Sequence, residues 1–247
     1  MHMKKSLRIA LLVVAAAIVT VGAGVLTACQ EDFGDPVTKT LTIPDYAAIN
    51  IIDAFEVKML PGIAEPTITI DELLLDKVDI HVNDKGMLFI RLKNRINGSN
   101  VKQMKVTLPL NPSIVKVVVS GASSFDVEGA TPLCDIEVDG ASALRASNAT
   151  DMQSIRLSGA SAAQINGVGD EVFLNISGAS ALDAGKMLCS AVKGAVSGAS
   201  VADVTVCTKL DLDVSGASVV TYGLVSPTCT LENVCVVSGE SVVTQRN

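Results

Sequence analysis

The chain has 247 residues, a formal net charge of -7, 49% apolar residues and 3% aromatics, with no tryptophan. Lys and Arg number 19 against 26 Asp and Glu. That balance argues against nucleic acid as a partner and against charge-driven binding to anionic lipid, because both need basic surface.

The first element is a targeting segment. Lys4, Lys5 and Arg8 precede an apolar run over 9–21, then small residues ending in Leu26-Thr27-Ala28-Cys29. The basic start, apolar run and small-residue end are those of a secretory signal over 1–28. The last four residues resemble a bacterial lipobox, whose cysteine is acylated and becomes the new first residue. A single transmembrane anchor is the alternative, but a span needs about 20 apolar residues, and 9–28 barely supplies them. The placement of Cys29 decides for lipidation. Loss of Lys4, Lys5 and Arg8, with no acid among the residues removed, takes the formal charge from -7 to -10. Gln30-Glu31-Asp32 resembles the acidic surface-export signal of Bacteroidetes lipoproteins. The expectation is an outer membrane lipoprotein, on the periplasmic or cell-surface side, held by the lipid on Cys29. Residues 29–37, with Gly34 and Pro36, read as an acidic tether.

Residues 38–247 read as one all-β solenoid domain. Its first part, 38–110, carries strand signals at 39–43, 55–60, 67–71, 78–82, 87–92 and 105–108. Pro61-Gly62 and Asp84-Lys85-Gly86 mark turns, and 96–100 reads as a loop turning at Asn97-Gly98. This part is expected to form irregular N-terminal coils or a cap, because the end units of solenoids must shield an open core. No linker separates it from the strand at 114–119.

Over 111–247 the chain repeats. Gly-Ala-Ser begins at Gly121, Gly140, Gly159, Gly178, Gly198 and Gly216, and Gly-Glu-Ser at Gly239. The intervals are 19, 19, 19, 20, 18 and 23 residues. Two positions before each glycine stand Val119, Val138, Leu157, Ile176, Val196, Val214 and Val237. Four positions after it stand Phe125, Leu144, Ala163, Leu182, Ala202, Val220 and Val243. Alternation on both sides predicts at least two short strands per period, separated by tight corners. A 19-residue period has no room for a crossover helix. The economical fold is a parallel β-helix, one coil per repeat, with equivalent residues stacked at about 4.8 Å. Glycine supplies the corner angle. The serines 123, 142, 161, 180, 200, 218 and 241 (Ser123, Ser142, Ser161, Ser180, Ser200, Ser218 and Ser241) are expected to form a hydroxyl ladder or cap local amides. An exposed polar stripe for sugar or mineral is the second reading of the same column.

Several of these pieces carry a resemblance. Ile52-Asp53-Ala54-Phe55-Glu56-Val57, the Pro61-Gly62 turn, Gly86-Met87-Leu88, the strand ending at Pro109 and the Gly-Ala-Ser corners resemble the autotransporter adhesin head, or GIN, domain of Bacteroidetes lipoproteins. The likeness covers roughly 49–243. It implies a right-handed parallel β-helix and no catalytic residues. The family's leading Gly-Ala-Phe is here Asp53-Ala54-Phe55.

Five cysteines follow Cys29, so at least one stays free or pairs between chains. Cys189 and Cys207, one coil apart, form one candidate disulfide, and Cys229 with Cys235 the other. Buried free thiols are the alternative. No metal site is expected, since no tight Cys-x-x-Cys or histidine cluster occurs, and no cofactor is implied. Asp126, Asp183 and Asp203 share one outward column, an acidic face that would serve the alternative reading, a polysaccharide-active β-helix enzyme. Seven equivalent serines and one histidine after Cys29, His81, give no nucleophile with its base. The favoured expectation is a noncatalytic adhesion or scaffold lipoprotein that meets a surface protein or glycan. Self-association through a solenoid end is the third possibility. Scarce aromatics, Tyr46 and Tyr222 among them, weigh against specific sugar binding.

Overall fold

The computed structural model describes residues 32–96 and 100–246. The expected signal segment, Cys29, Gln30, Glu31 and the expected turn at Asn97-Gly98 lie outside the described residues. The fold is nearly all β, a solenoid of about seven turns spaced roughly 19 residues apart.

The N-terminal elements are β1 (Pro36–Thr40), β2 (Ala48–Ile51), β3 (Glu56–Leu60), β4 (Thr67–Asp71), the 3-10 turn Glu72–Lys77, β5 (Val78–Val82), β6 (Met87–Leu92) and β7 (Met104–Pro109). β4, β5 and β6 fall where the alternation places them. β1 lies three residues before the expected 39–43, and β2 has no counterpart among the expected strands. Their order in space differs from their order in sequence. β2 pairs with β6 on one side and with β8 (Lys116–Val119) on the other. β3 likewise sits between β7 and β9 (Ser124–Thr131). The first coil in sequence is therefore sandwiched inside the rod, and β6 and β7 lie outside it. Antiparallel strands close that end, with β5 on β6, β4 on β7 and β1 outermost on β4. They cover apolar side chains and strand edges that a bare first coil would expose.

The expected acidic tether is corrected where it is described. Phe33 is only 3% exposed and joins the core. Leu73 N–H donates to the Phe33 carbonyl at 3.0 Å and Glu72 N–H to that of Asp35 at 3.1 Å. Behind them the Asp71 carboxylate, fully buried, accepts the backbone N–H groups of Lys102 at 2.7 Å and Gln103 at 3.0 Å. The chain is thus anchored to the cap from Phe33 onward.

The regular coils follow as β10 (Asp135–Val138), β11 (Ala143–Leu157), β12 (Ala162–Ile176), β13 (Ala181–Val196), β14 (Val201–Val214) and β15 (Val219–Leu224). Each of β11 to β14 runs almost from one triplet to the next. The separate short strands expected per period are one continuous strand in each of β11 to β14, and the second corner appears only as register shifts such as that between Ala146 and Ala149. The inward columns match the sequence reading. Val117, Ile136, Ile155, Leu174, Gly194 and Leu212 are successive register partners. One apolar cluster runs from Phe33 to Val220. Each fully buried Val, Leu or Ile in it contributes on the order of 1.5–3 kcal/mol.

The last rung is short: β16 (Glu232–Asn233), β17 (Val236–Val237) and β18 (Val242–Gln245). Val236 is 63% and Val242 50% exposed, so this end is open where the other is capped. The wide interval before Gly239 holds a loop, and here the cysteine expectation is overturned. Among the described residues Cys207 pairs with Cys229, while Cys134, Cys189 and Cys235 are free. The cause is register. Cys189 stands opposite Val206, not Cys207, and an offset of one residue turns a strand side chain to the other face. Cys189 points into the core at 2% exposure.

Candidate binding face

The corners are built by stacking. Gly121, Gly140, Gly159, Gly178, Gly198, Gly216 and Gly239 all have φ between 68° and 82°. From Gly159 onward a Cβ on each glycine would lie 2.3 to 2.6 Å from the carbonyl oxygen of the glycine one coil earlier. From Gly140 to Gly198 the carbonyl also accepts the next rung's alanine N–H, as in Ala179 N–H to Gly159 O at 2.8 Å, and the Gly216 carbonyl accepts that of Glu240. Glycine is required by the approach of the rungs as well as by its φ.

The serines face inward, which corrects the exposed-stripe reading. Ser123, Ser142, Ser161, Ser180, Ser200 and Ser218 are all at most 2% exposed, and Ser241 is half-buried on the last rung. Four of the hydroxyls donate to the carbonyl three residues earlier: Ser161 to Ser158, Ser180 to Ser177, Ser200 to Ser197 and Ser218 to Ser215, at 2.6 to 2.9 Å. They hold the corner closed, and a ligand at the surface meets glycine and alanine there instead. The seryl residues just before the glycines were not singled out from the sequence, though the Ser-Gly-Ala-Ser spelling carries them.

The outward column beside the corners is a mixed ladder, not an acidic face. Its register partners run Lys58, Asp126, Arg145, Gln164, Asp183, Asp203 and Thr221. Arg145 lies 3.6 Å from Asp126 and donates to Gln164 at 3.2 Å. Gln164 in turn donates to Asp183 at 3.2 Å. Asp203 receives Arg246 at 2.6 Å through both carboxylate oxygens, while the same guanidinium reaches Thr205 and the Gly185 carbonyl. Side chains at 185 or 223 would collide with that guanidinium, so Gly185 and Gly223 make its berth. Sequence reasoning missed Arg246, because nothing local marks a residue that returns across 43 positions. Asp183 and Asp203 stand side by side on adjacent rungs, and each carboxylate is tied to neighbours: Asp126 to Arg145, Asp183 to Gln164 and the Gly185 N–H, and Asp203 to Arg246.

A second ladder crosses the neighbouring face. Asp135 takes Lys116 at 2.6 Å and Arg156 at 2.7 Å, from the rungs before and after its own. Burial raises the Asp135 carboxyl, but the hydrogen bond and charge of Lys116 and the charge of Arg156 outweigh it and hold the group below its ordinary value. A depressed carboxyl stabilises the fold above its unfolded pKa, and that stability is lost as pH falls through the folded one. Asp135→Asn is therefore expected to lower stability by about 1 kcal/mol at pH 7, since the pair is partly exposed. The gap should close as pH falls below about 4. Urea titrations of both proteins at pH 7 and pH 3 check this; an equal gap at both would exclude the charge mechanism.

Two open depressions, of about 590 and 470 Å³, lie near the capped end. Asp53 lines the first, and its carboxylate is committed to the Leu92 N–H at 3.0 Å. Tyr46 lines the second; burial pushes its phenol up to about 12 against the opposing Asn111 hydrogen bond. Tyr46 and Tyr222 both pack on the core, so neither offers a free aromatic platform. Among the described residues no group of three His, Cys, Asp or Glu could hold a metal ion, and no helix is long and apolar enough to cross a membrane.

Stacked, small-cornered coils with charge-paired flanks define the chain as a β-solenoid. The family described as putative auto-transporter adhesin, head GIN domain, matches residues 45–223, and the chain belongs to it. Among solved structures, a putative adhesin from Bacteroides fragilis superposes with TM-score 0.73 at 16% identity, covering 90% of this chain and 100% of that one. A putative adhesin from Parabacteroides merdae gives 0.62 at 16%, covering 87% and 97%. A putative lipid binding protein from Parabacteroides distasonis gives 0.61 at 18%, covering 87% and 98%. At these identities the likeness is one of fold. No curated protein matches the chain.

Proposed function

We propose that this chain is a noncatalytic lipoprotein of the outer membrane, anchored through Cys29, that uses the flank of its solenoid as an adhesive or scaffolding surface. The observation that carries this is the outward ladder from Asp126 to Asp203. Its side chains are tied to one another across rungs, Asp126 and Gln164 to Arg145, Asp183 to Gln164 and Asp203 to Arg246. A rigid face with paired charges and a small-residue edge suits contact with an extended protein surface. Both tyrosines pack on the core. Among the described residues the exposed aromatic is Phe173, 39% exposed on β12, and one ring without a second beside it makes protein a better partner class than glycan, because sugar rings stack on aromatic faces that are free to receive them.

The test compares cells carrying the full chain with cells carrying Cys29→Ala. Protease shaving of intact cells reports surface display. Adherence to immobilised matrix proteins and to a glycan panel reports recognition. The expected result is displayed protein and adherence to protein surfaces, both lost in Cys29→Ala. Full display with no adherence on either panel would remove the adhesive reading.

A further inference from the structure

We infer that the capped end of the solenoid is a bilayer-docking surface with Leu73 as its inserting side chain, so that the rod stands with its open rung away from the membrane. This rests on lipidation at Cys29 and adds an orientation to it. Cys29 and Asp32 are three positions apart in the sequence, and three residues fully extended span only ~10 Å. From Phe33 the backbone has no freedom to extend that reach. Phe33 is buried, its carbonyl is bound by Leu73 N–H, and the Lys102 ammonium grips the Gly34 carbonyl at 2.9 Å and Asp35 at 3.1 Å. An acyl chain on Cys29 must therefore enter the bilayer within ~10 Å of the outermost layer of the cap.

That layer carries an apolar side chain in the right place. Leu73 is 60% exposed, while Leu74 beside it is fully buried. The hydrogen bond from Leu73 N–H to Phe33 fixes it next to the chain's exit point. Lys77, whose ammonium lies 5.5 Å from the Phe33 ring centroid, and Lys93, bound to the Asp76 carbonyl, stand on the same end. Lysines of this kind lay their stems along apolar surface and keep their heads among lipid headgroups. Asp32 and Asp35 balance them, so the docking is by insertion and not by net charge. About seven turns, stacked at ~4.8 Å, then hold Val236 and Val242 some 30 Å or more from the lipid.

The chain has no tryptophan, so one introduced residue is a clean probe. Leu73→Trp and Val236→Trp are made in the full chain, purified from cells that process lipoproteins, checked for acylation by mass spectrometry, and reconstituted in phosphatidylethanolamine–phosphatidylglycerol vesicles containing brominated lipid. Quenching at 73 is expected to exceed that at 236 by about threefold, with blue-shifted emission, as for a side chain about 5–10 Å into the interface. Glu72→Trp, at the neighbouring exposed position, serves if Leu73→Trp melts below the parent. Acylated protein quenched equally at the two ends, or more at 236, overturns the orientation. So does a dimer that shields the indole of Leu73→Trp in detergent, which would make a second copy the occupant. Protein lacking an acyl chain overturns the lipidation reading itself, and the inference with it.

Discussion

Gly178→Ala is expected to lower stability by about 3 kcal/mol, roughly 1 from a non-glycine residue held in the left-handed region and up to about 2 from overpacking. The second term comes from a Cβ 2.3 Å from the Gly159 oxygen and 3.0 Å from the Gly159 nitrogen, neither of which can swing aside as a side chain would. Gly62→Ala separates the two terms. Gly62 has nearly the same φ, 78° against 77°, but nothing stands within 4 Å of its added Cβ. It should lose only the first term, about 1 kcal/mol. The measurement is paired denaturant titration, with hydrogen exchange to locate the damage. In a solenoid each coil is supported mainly by its neighbours, so the exchange increase should centre on the rungs of β12 and β13 and decay in both directions. Equal losses at 62 and 178 would mean that backbone angle alone selects glycine at the corners.

The same argument explains the corner that lacks glycine. Asp53 and Ala54 occupy the positions under Gly121 and Ala122, and both have positive φ, 67° and 66°. Every glycine corner has another corner directly beneath it. Beneath Asp53 lies the end of β6, so a side chain has room, and the carboxylate takes the Leu92 N–H there. The departure of Asp53-Ala54-Phe55 from the glycine pattern thus marks where regular stacking stops. Only the two-dimensional arrangement shows that, because the β2–β3 coil is placed between segments that come later in the chain.

The regular half was legible for the opposite reason. Its contacts are between residues one period apart, so a column in the aligned repeats is also a column in space. Ile136, Ile155 and Leu174 illustrate it. The outward ladder was only half legible. The column of Asp126, Arg145, Gln164, Asp183 and Asp203 could be written down from spacing, but its meaning depended on Arg246 reaching back from beyond the last repeat. A charge that closes a ladder from outside the period has no periodic signal. The serines show a further limit. Their spacing located them, but whether they faced in or out depended on which side of the corner the chain turned.

Breaking Cys207–Cys229 is the second large expected effect. The bridge closes a loop with a sequence separation of 22 residues; in the chain-entropy account a loop of that size contributes about 3 kcal/mol. It spans the point where the solenoid loses its regularity, tying the loop after β15 to β14 just before the chain forms its short last rung. Reduction, or Cys207→Ser with Cys229→Ser, should therefore free β16 to β18 well before the central coils, visible as protease cutting near the open end while β11 to β13 stay protected. Burial pushes the Cys189 thiol up to about 12, so at neutral pH it supplies almost no thiolate for exchange with the bridge. A non-reducing digest should accordingly yield one linked pair, the peptide holding Cys207 joined to that holding Cys229, with Cys189 alkylated only after unfolding. Recovery of a Cys189–Cys207 peptide would require β13 and β14 to slip by one residue. Such a slip would turn every side chain along that ladder to the opposite face and bring Val204 and Val206 out of the core.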